Sequence, residues 1–324
     1  MTRKAWLRSA LAAALGLISA VLASAQSAGL PPVEAGARAQ LERSPRHGEW
    51  VTLDAGSGDT VDAFVVYPQR ADRAPVVVVI HEIFGLSDWV RSVADQLAAE
   101  GFIAIAPDLI SGKAPGGKGS RSVGPDDARA LVSALDPSEV TRRLNAAAKY
   151  ATSLPAALPR YAVIGFCWGG TASFAYATQQ PGLSAAVVYY GTAPAKDALA
   201  RITAPVLGQF GGSDMRVDAT IPAAAAEMKR LGKPFTYTMY EGAGHAFARV
   251  QDGMNGANLK AIQQAWPQTI RFLKSSLGDA ESLRGDGLAP VAVLAAVLSG
   301  PAIRCVCADA DEHSAAGGPI ALLH

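Results

Sequence analysis

Val163-Ile164-Gly165-Phe166-Cys167-Trp168-Gly169-Gly170 decides how the rest of the chain is read. The apolar run 160–164 leads into it and suits a buried strand, while 171–180, closed by Pro181-Gly182, suits a helix. Gly-x-Cys-x-Gly between strand and helix is the nucleophile-elbow pattern, with Cys in place of Ser. So sharp a turn leaves no room for a Cβ at Gly165 or Gly169. A helix opening just after Cys167 aims its N-terminal dipole at the sulfur, which favours thiolate over thiol. The competing reading is a buried structural cysteine beside glycine-rich packing.

Outward from the elbow, strands and helices alternate. Runs 50–53 and 60–67 flank the turn-rich Asp54-Ala55-Gly56-Ser57-Gly58-Asp59 and predict a hairpin. The β-branched run 75–80 suits a central parallel strand buried on both faces. Further strands are expected at 102–106, 185–190, 204–210 and 235–240. Ser87 can cap a helix whose stripe is Val90, Val93, Ala94 and Leu97. Asp136-Pro137-Ser138-Glu139 opens another, to about 153, with Pro at the first helical position. Helices over 221–231 and 258–276 complete the alternation. The pattern predicts an α/β protein: a doubly wound, mostly parallel sheet flanked by helices, with its site at the carboxyl ends of the strands. The Gly-, Lys- and Ser-rich stretch 111–124 is expected to be a long surface loop over that site.

The chain has 324 residues, half of them apolar, and a formal net charge of +1. Nothing in that balance suggests nucleic-acid binding. Arg3, Lys4 and Arg8, then an apolar run over 11–22 and the small residues Ala23-Ser24-Ala25, read as a secretory signal peptide. The apolar run is short for a membrane anchor. Loss of 1–25, with three basic residues and no acid, takes the charge from +1 to −2. The expected organisation is a signal peptide over 1–25, a linker or poorly ordered arm over 26–48, the α/β domain over 49–278 and a loosely attached extension over 279–324. The expected location is periplasmic or secreted, and the mature protein is expected to be a monomer without a membrane anchor. Of three cysteines, Cys305 and Cys307 are too close in sequence for an ordinary disulfide. With His313 they make only a weak imitation of a metal cluster, so no metal is expected.

Elbow hydrolases place their triad in the order nucleophile, acid, histidine. Past Cys167, the next acid at a strand end is Asp214, in Gly211-Gly212-Ser213-Asp214; Asp218 is a rival. His245 follows in Gly244-His245-Ala246-Phe247, again just past a strand. His245 is expected to shuttle the thiol proton and Asp214 to fix its tautomer. Two backbone N–H groups must face the developing oxyanion, and those of Trp168 and Ile83 are the expected pair. Glu82, at the end of the 75–80 strand, would lie close to Cys167 or be a surface acid.

Glu82-Ile83-Phe84-Gly85, Pro107-Asp108-Leu109, Gly165-Phe166-Cys167-Trp168-Gly169-Gly170, Tyr189-Tyr190-Gly191, Gly211-Gly212-Ser213-Asp214 and Gly244-His245-Ala246-Phe247-Ala248-Arg249 together resemble the dienelactone hydrolase family. The similarity spans about 50–277. It implies an α/β-hydrolase fold, a Cys167-Asp214-His245 triad, no cofactor, and hydrolysis of a small-molecule lactone or ester of the carboxymethylenebutenolidase type. It also implies that Glu82 takes the thiol proton only when substrate binds, and that Arg249 pairs with a substrate carboxylate. The family's second carboxylate-binding arginine has no counterpart around Val123-Gly124-Pro125-Asp126. Arg121 and Arg129 flank that place, and the expected substrate-binding set is Arg249, Tyr190 and Arg121. Two rival readings are a broad-specificity exported esterase and a binding or redox protein on the same scaffold.

Overall fold

A computed structural model of the chain describes residues 29–278. The 1–25 stretch read as a signal peptide lies outside them, as does the 279–324 extension with Cys305, Cys307 and His313. Eight strands form one sheet: β1 (Gly48–Gly56), β2 (Asp59–Val66), β3 (Ala74–Ile80), β4 (Ile103–Pro107), β5 (Ala157–Phe166), β6 (Ala185–Tyr189), β7 (Val206–Gly211) and β8 (Phe235–Tyr240), in the spatial order β1-β2-β4-β3-β5-β6-β7-β8. The hairpin β1–β2 joins antiparallel to β4, and every pairing from β4 to β8 is parallel. The expected doubly wound sheet is therefore present, with an antiparallel edge.

Eight α-helices are described: α1 (Ala37–Arg43), α2 (Asp88–Ala99), α3 (Pro125–Ser133), α4 (Pro137–Ser153), α5 (Trp168–Ala177), α6 (Met215–Asp218), α7 (Ile221–Arg230) and α8 (Ala257–Leu277). Ser87 Oγ accepts from Val90 N at the start of α2, and Asp136 accepts from Ser138 N and Glu139 N at the start of α4. Along β3 every residue is buried, and successive side chains serve opposite layers. Val77 and Val79 belong to the core layer that holds α2 and α8, whereas Val76, Val78 and Ile80 belong to the layer that holds α4 and α7. Each fully buried Val or Ile contributes about 1.5–3 kcal/mol of transfer free energy, so the strand that carries Glu82 beyond its end is firmly seated.

Two departures from expectation have local causes. Strand β5 begins at Ala157, before Pro159, because a register shift between Ala74 and Val76 of β3 absorbs the proline. Helix α5 starts at Trp168 rather than at 171, taking in two glycines of poor helix propensity. The 111–124 surface loop carries two short 3-10 turns, Pro115–Gly117 and Ser120–Ser122, and is anchored where buried Asp108 accepts from Ser120 N at 2.7 Å and from Ser120 Oγ at 2.6 Å.

The described part of the stretch read as a linker or poorly ordered arm is neither. It carries α1, and donors from the domain hold its backbone. Gln96 Nε2 donates to Gly29 O, Trp89 Nε1 to Pro32 O and Gln251 Nε2 to Pro31 O. Arg46 then pairs with buried Asp95 through two bonds of 2.9 and 2.6 Å.

Candidate active site

Cys167 stands between β5 and α5 with φ 56° and ψ −118°, in the left-handed half of backbone space that costs an L-residue strain. The neighbouring glycines make the turn possible. A Cβ on Gly165 would sit 1.9 Å from Gly169 O, and one on Gly169 would sit 2.4 Å from both Ile80 O and His81 O. The Cys167 N–H donates to Tyr189 O at 3.1 Å, fixing the elbow to the next strand.

The thiol pKa is raised above its ordinary 9.0, not lowered. Burial is the largest cause and the Glu82 charge adds to it; the backbone N–H groups of Trp168 and Ile83 pull the other way. The helix dipole, expected to favour thiolate, is outweighed, so the resting group is a thiol at neutral pH. The two amides acting on the sulfur are those expected at an oxyanion hole.

Glu82 is 2 % exposed, and its pKa is raised from 4.5 to about 7. Burial dominates, and the Arg249 charge opposes it. Arg249 Nε lies 2.7 Å from Glu82 Oε2, an ion pair in which the N–H is not aimed at the oxygen. His81 holds the loop from beneath. Its Nδ1 meets Glu82 O at 2.7 Å, and Leu109 N donates to its Nε2 at 3.2 Å. That pair of contacts selects the tautomer protonated on Nδ1. Burial lowers the His81 pKa, and the ring stacks on Trp168 at 5.6 Å.

Asp214 and His245 come from the loops after β7 and β8. Those loops are sewn together: Gly212 N donates to Tyr240 O and Ser213 N to Ala243 O. His245 Nδ1 and Asp214 Oδ2 are 2.5 Å apart. Asn258, at the start of α8, accepts from Gly244 N at 2.9 Å and donates to Val250 O at 2.7 Å, clamping the turn that bears His245. The Tyr190 ring lies 5.1 Å from that of His245 and is fully buried at φ 39°. Its hydroxyl has no hydrogen-bond partner, and the Glu82 and Cys167 charges are among the causes that push its pKa well up, behind burial. Tyr190 thus joins the thiol side of the site to the imidazole side.

The profile of the Dienelactone hydrolase family matches residues 61–277, which takes in every residue of this constellation. The chain belongs to the dienelactone hydrolase family. A Salmonella typhimurium protein provisionally named a carboxymethylenebutenolidase is 31 % identical over 235 residues, covering 68 % of this chain and 85 % of its own. The carboxymethylenebutenolidase of Pseudomonas putida is 30 % identical over 222 residues, covering 66 % and 92 %. A solved structure from Klebsiella pneumoniae, provisionally named a dienelactone hydrolase, superposes with a TM-score of 0.62 at 25 % identity, covering 70 % of this chain and 98 % of that one. The fold is the α/β-hydrolase fold, and this family member is a carboxylic ester hydrolase.

The family's elbow and loops bring Cys167, Glu82, Ile83, Trp168, Tyr190 and Arg249 together, and they bond Asp214 to His245. Among the described residues the thiol makes no hydrogen bond to His245. Asp218, the rival acid, carries a buried Oδ1 with no hydrogen-bond partner. The Arg121 guanidinium, 58 % exposed at its side chain, lies 4.0 Å from the Trp50 ring centroid and 3.8 Å from Asp62. Arg129 lies 5.3 Å from the ring centroid of Phe84, as does Arg249. His81 and Asn258 escaped sequence reasoning. His81 borders the quoted Glu82 motif and was the findable one.

Proposed function

We propose that this family member hydrolyses small lactones or esters through a thioester on Cys167. Glu82, ionised, takes the thiol proton once substrate is bound, and the sulfur swings from the amide pair toward His245. The thiolate attacks the carbonyl carbon, forming a C–S bond while the carbonyl oxygen becomes an oxyanion. The N–H groups of Ile83 and Trp168 receive that charge. Collapse breaks the C–O bond, and His245 relays to the leaving oxygen the proton that Glu82 took from the thiol, which returns Glu82 to its ionised form. Water, deprotonated by His245, then cleaves the thioester. Asp214 holds the imidazole tautomer throughout and stabilises the imidazolium. Dienelactone hydrolysis of the carboxymethylenebutenolidase kind is the reference reaction. The basic and apolar start of the chain supports export to the periplasm or beyond.

One observation carries this reading: Cys167 sits at φ 56° on a glycine-flanked strand–helix elbow, where the Glu82 charge and the Ile83 and Trp168 amides act on its thiol. The test is turnover of dienelactone and p-nitrophenyl acetate by the chain lacking residues 1–25, with intact mass measured after rapid quenching. An acyl adduct that vanishes in Cys167→Ala, together with both activities, is expected. Undiminished turnover by Cys167→Ala would sink the nucleophile.

A further inference from the structure

Arg249 does not stand free for a substrate. Its Nη1 lies 2.5 Å from Glu34 Oε2, while its Nε lies 2.7 Å from Glu82 Oε2. The Glu34 N–H also donates to Arg249 O at 3.2 Å, so main chain and side chain are matched in register. One guanidinium is therefore shared by two carboxylates, and the local formal charge is negative. Glu34 is 55 % exposed at its side chain, whereas Arg249 is 16 % and Glu82 3 % exposed. The outer carboxylate sits where a solvent-borne anion would approach the arginine.

We propose that Glu34 is a specificity-determining residue: its carboxylate fills the anion seat of Arg249 and steers the site toward esters and lactones that bear no carboxylate of their own. The proposal rests on the hydrolase reading above, and it makes dienelactone, which carries a carboxylate of its own, a slow substrate of the parent beside neutral esters. Its physics is simple. A guanidinium offers five donors in a fixed fork, and a carboxylate already on Nη1 removes the outward-facing part of that fork. An incoming carboxylate must displace Glu34 or share one cation with two anions at close range, where the low-dielectric surroundings magnify repulsion. Glu34 is well placed to persist because it does not hold its segment alone. Gln96, Trp89 and Gln251 grip the backbone at Gly29, Pro32 and Pro31, and Arg46 grips Asp95 further along. The same carboxylate is also among the charges that raise the Glu82 pKa. Its removal should therefore shift the Glu82 limb of a pH–rate profile to lower pH.

The test compares the full chain with Glu34→Gln and the charge-retaining Glu34→Asp on two matched substrates, p-nitrophenyl acetate and p-nitrophenyl hemisuccinate. Glu34→Gln is expected to raise kcat/KM for the hemisuccinate by on the order of 10–100-fold, as expected for one charge-assisted bond regained. It should leave the acetate within about twofold, and Glu34→Asp should behave like the parent. Equal effects on both substrates, or none, would overturn the proposal. Succinate binding by calorimetry separates this inference from the hydrolase reading. Binding in Glu34→Gln, absent in the parent and in the double variant with Arg249→Ala, upholds the anion seat even if neither ester is turned over. Tight succinate binding by the parent overturns it.

Discussion

His245 Nδ1 and Asp214 Oδ2 meet at 2.5 Å although 31 residues separate them. The meeting is arranged by backbone: the β7 and β8 loops exchange hydrogen bonds at Gly212, Ser213, Tyr240 and Ala243. A Cβ on Gly211 would lie 2.5 Å from Gly244 O, so the two loops can approach this closely only with glycine there. An imidazole held through Nδ1 leaves Nε2 for chemistry.

The first prediction follows from that bond. Asp214→Asn keeps the shape but donates where the carboxylate accepted, and it turns the imidazole to the wrong tautomer. A kcat loss on the order of 10²–10⁴-fold with little change in KM is expected. Steady-state kinetics on p-nitrophenyl acetate decides it. A loss confined to KM would mean that Asp214 serves binding instead.

The second concerns Asn258, whose two bonds clamp the turn carrying His245. Asn258→Ala leaves the buried Gly244 N–H without its partner, a penalty of about 1–3 kcal/mol, while Val250 O keeps the Gly253 N–H. Both the melting temperature and kcat should fall. Asn258→Asp keeps the acceptor for Gly244 and should retain more activity than Ala. If the melting temperature falls while kcat holds, the clamp does not position the histidine.

How much of this was legible from sequence depended on how local each cause was. The elbow, the Ser87 and Asp136 caps and the strand–helix alternation are written in neighbouring residues, and the structure reproduces them. For Cys167 the helix dipole, a local feature, pointed to thiolate, whereas burial, a property of the assembled fold, agrees with the resting thiol that the family resemblance implied. The 29–47 stretch looked like a linker by composition, because the side chains that grip it belong to Trp89, Gln96 and Gln251.

The third prediction separates stability from chemistry. Arg143 is 2 % exposed and binds Asp59 at 2.6 Å and Leu109 O at 2.7 Å, tying α4 to the hairpin turn and to the loop after β4. The Arg143 guanidinium holds the Asp59 carboxyl below its usual range. Arg143→Ala strands the Leu109 carbonyl and leaves Asp59 to Arg142 alone, a loss of about 1–3 kcal/mol. Denaturant unfolding should register it, while kcat of the folded fraction stays near the parent value. A stability change under about 1 kcal/mol would show that water replaces the guanidinium there.

Glu82 supplies the last prediction, and it couples function to folding with a definite sign. Its folded pKa is raised from 4.5 to about 7. The folded protein therefore holds this proton more tightly than the unfolded chain. The resulting stability is complete below pH 4.5 and is lost as pH rises through 7. Glu82→Gln abolishes that dependence, so its stability relative to the parent should climb between pH 4.5 and 7 and then level off. The full gain is at most about 3 kcal/mol for a shift of this size. Activity should run the other way. Only the ionised carboxylate accepts the thiol proton, so parental kcat/KM should rise with pH through about 7, and Glu82→Gln should lack that limb and most of the rate. Melting curves and pH–rate profiles on the two proteins test both halves. A Gln variant that kept the parental rate and the same limb would remove Glu82 from the proton path, whatever its effect on stability.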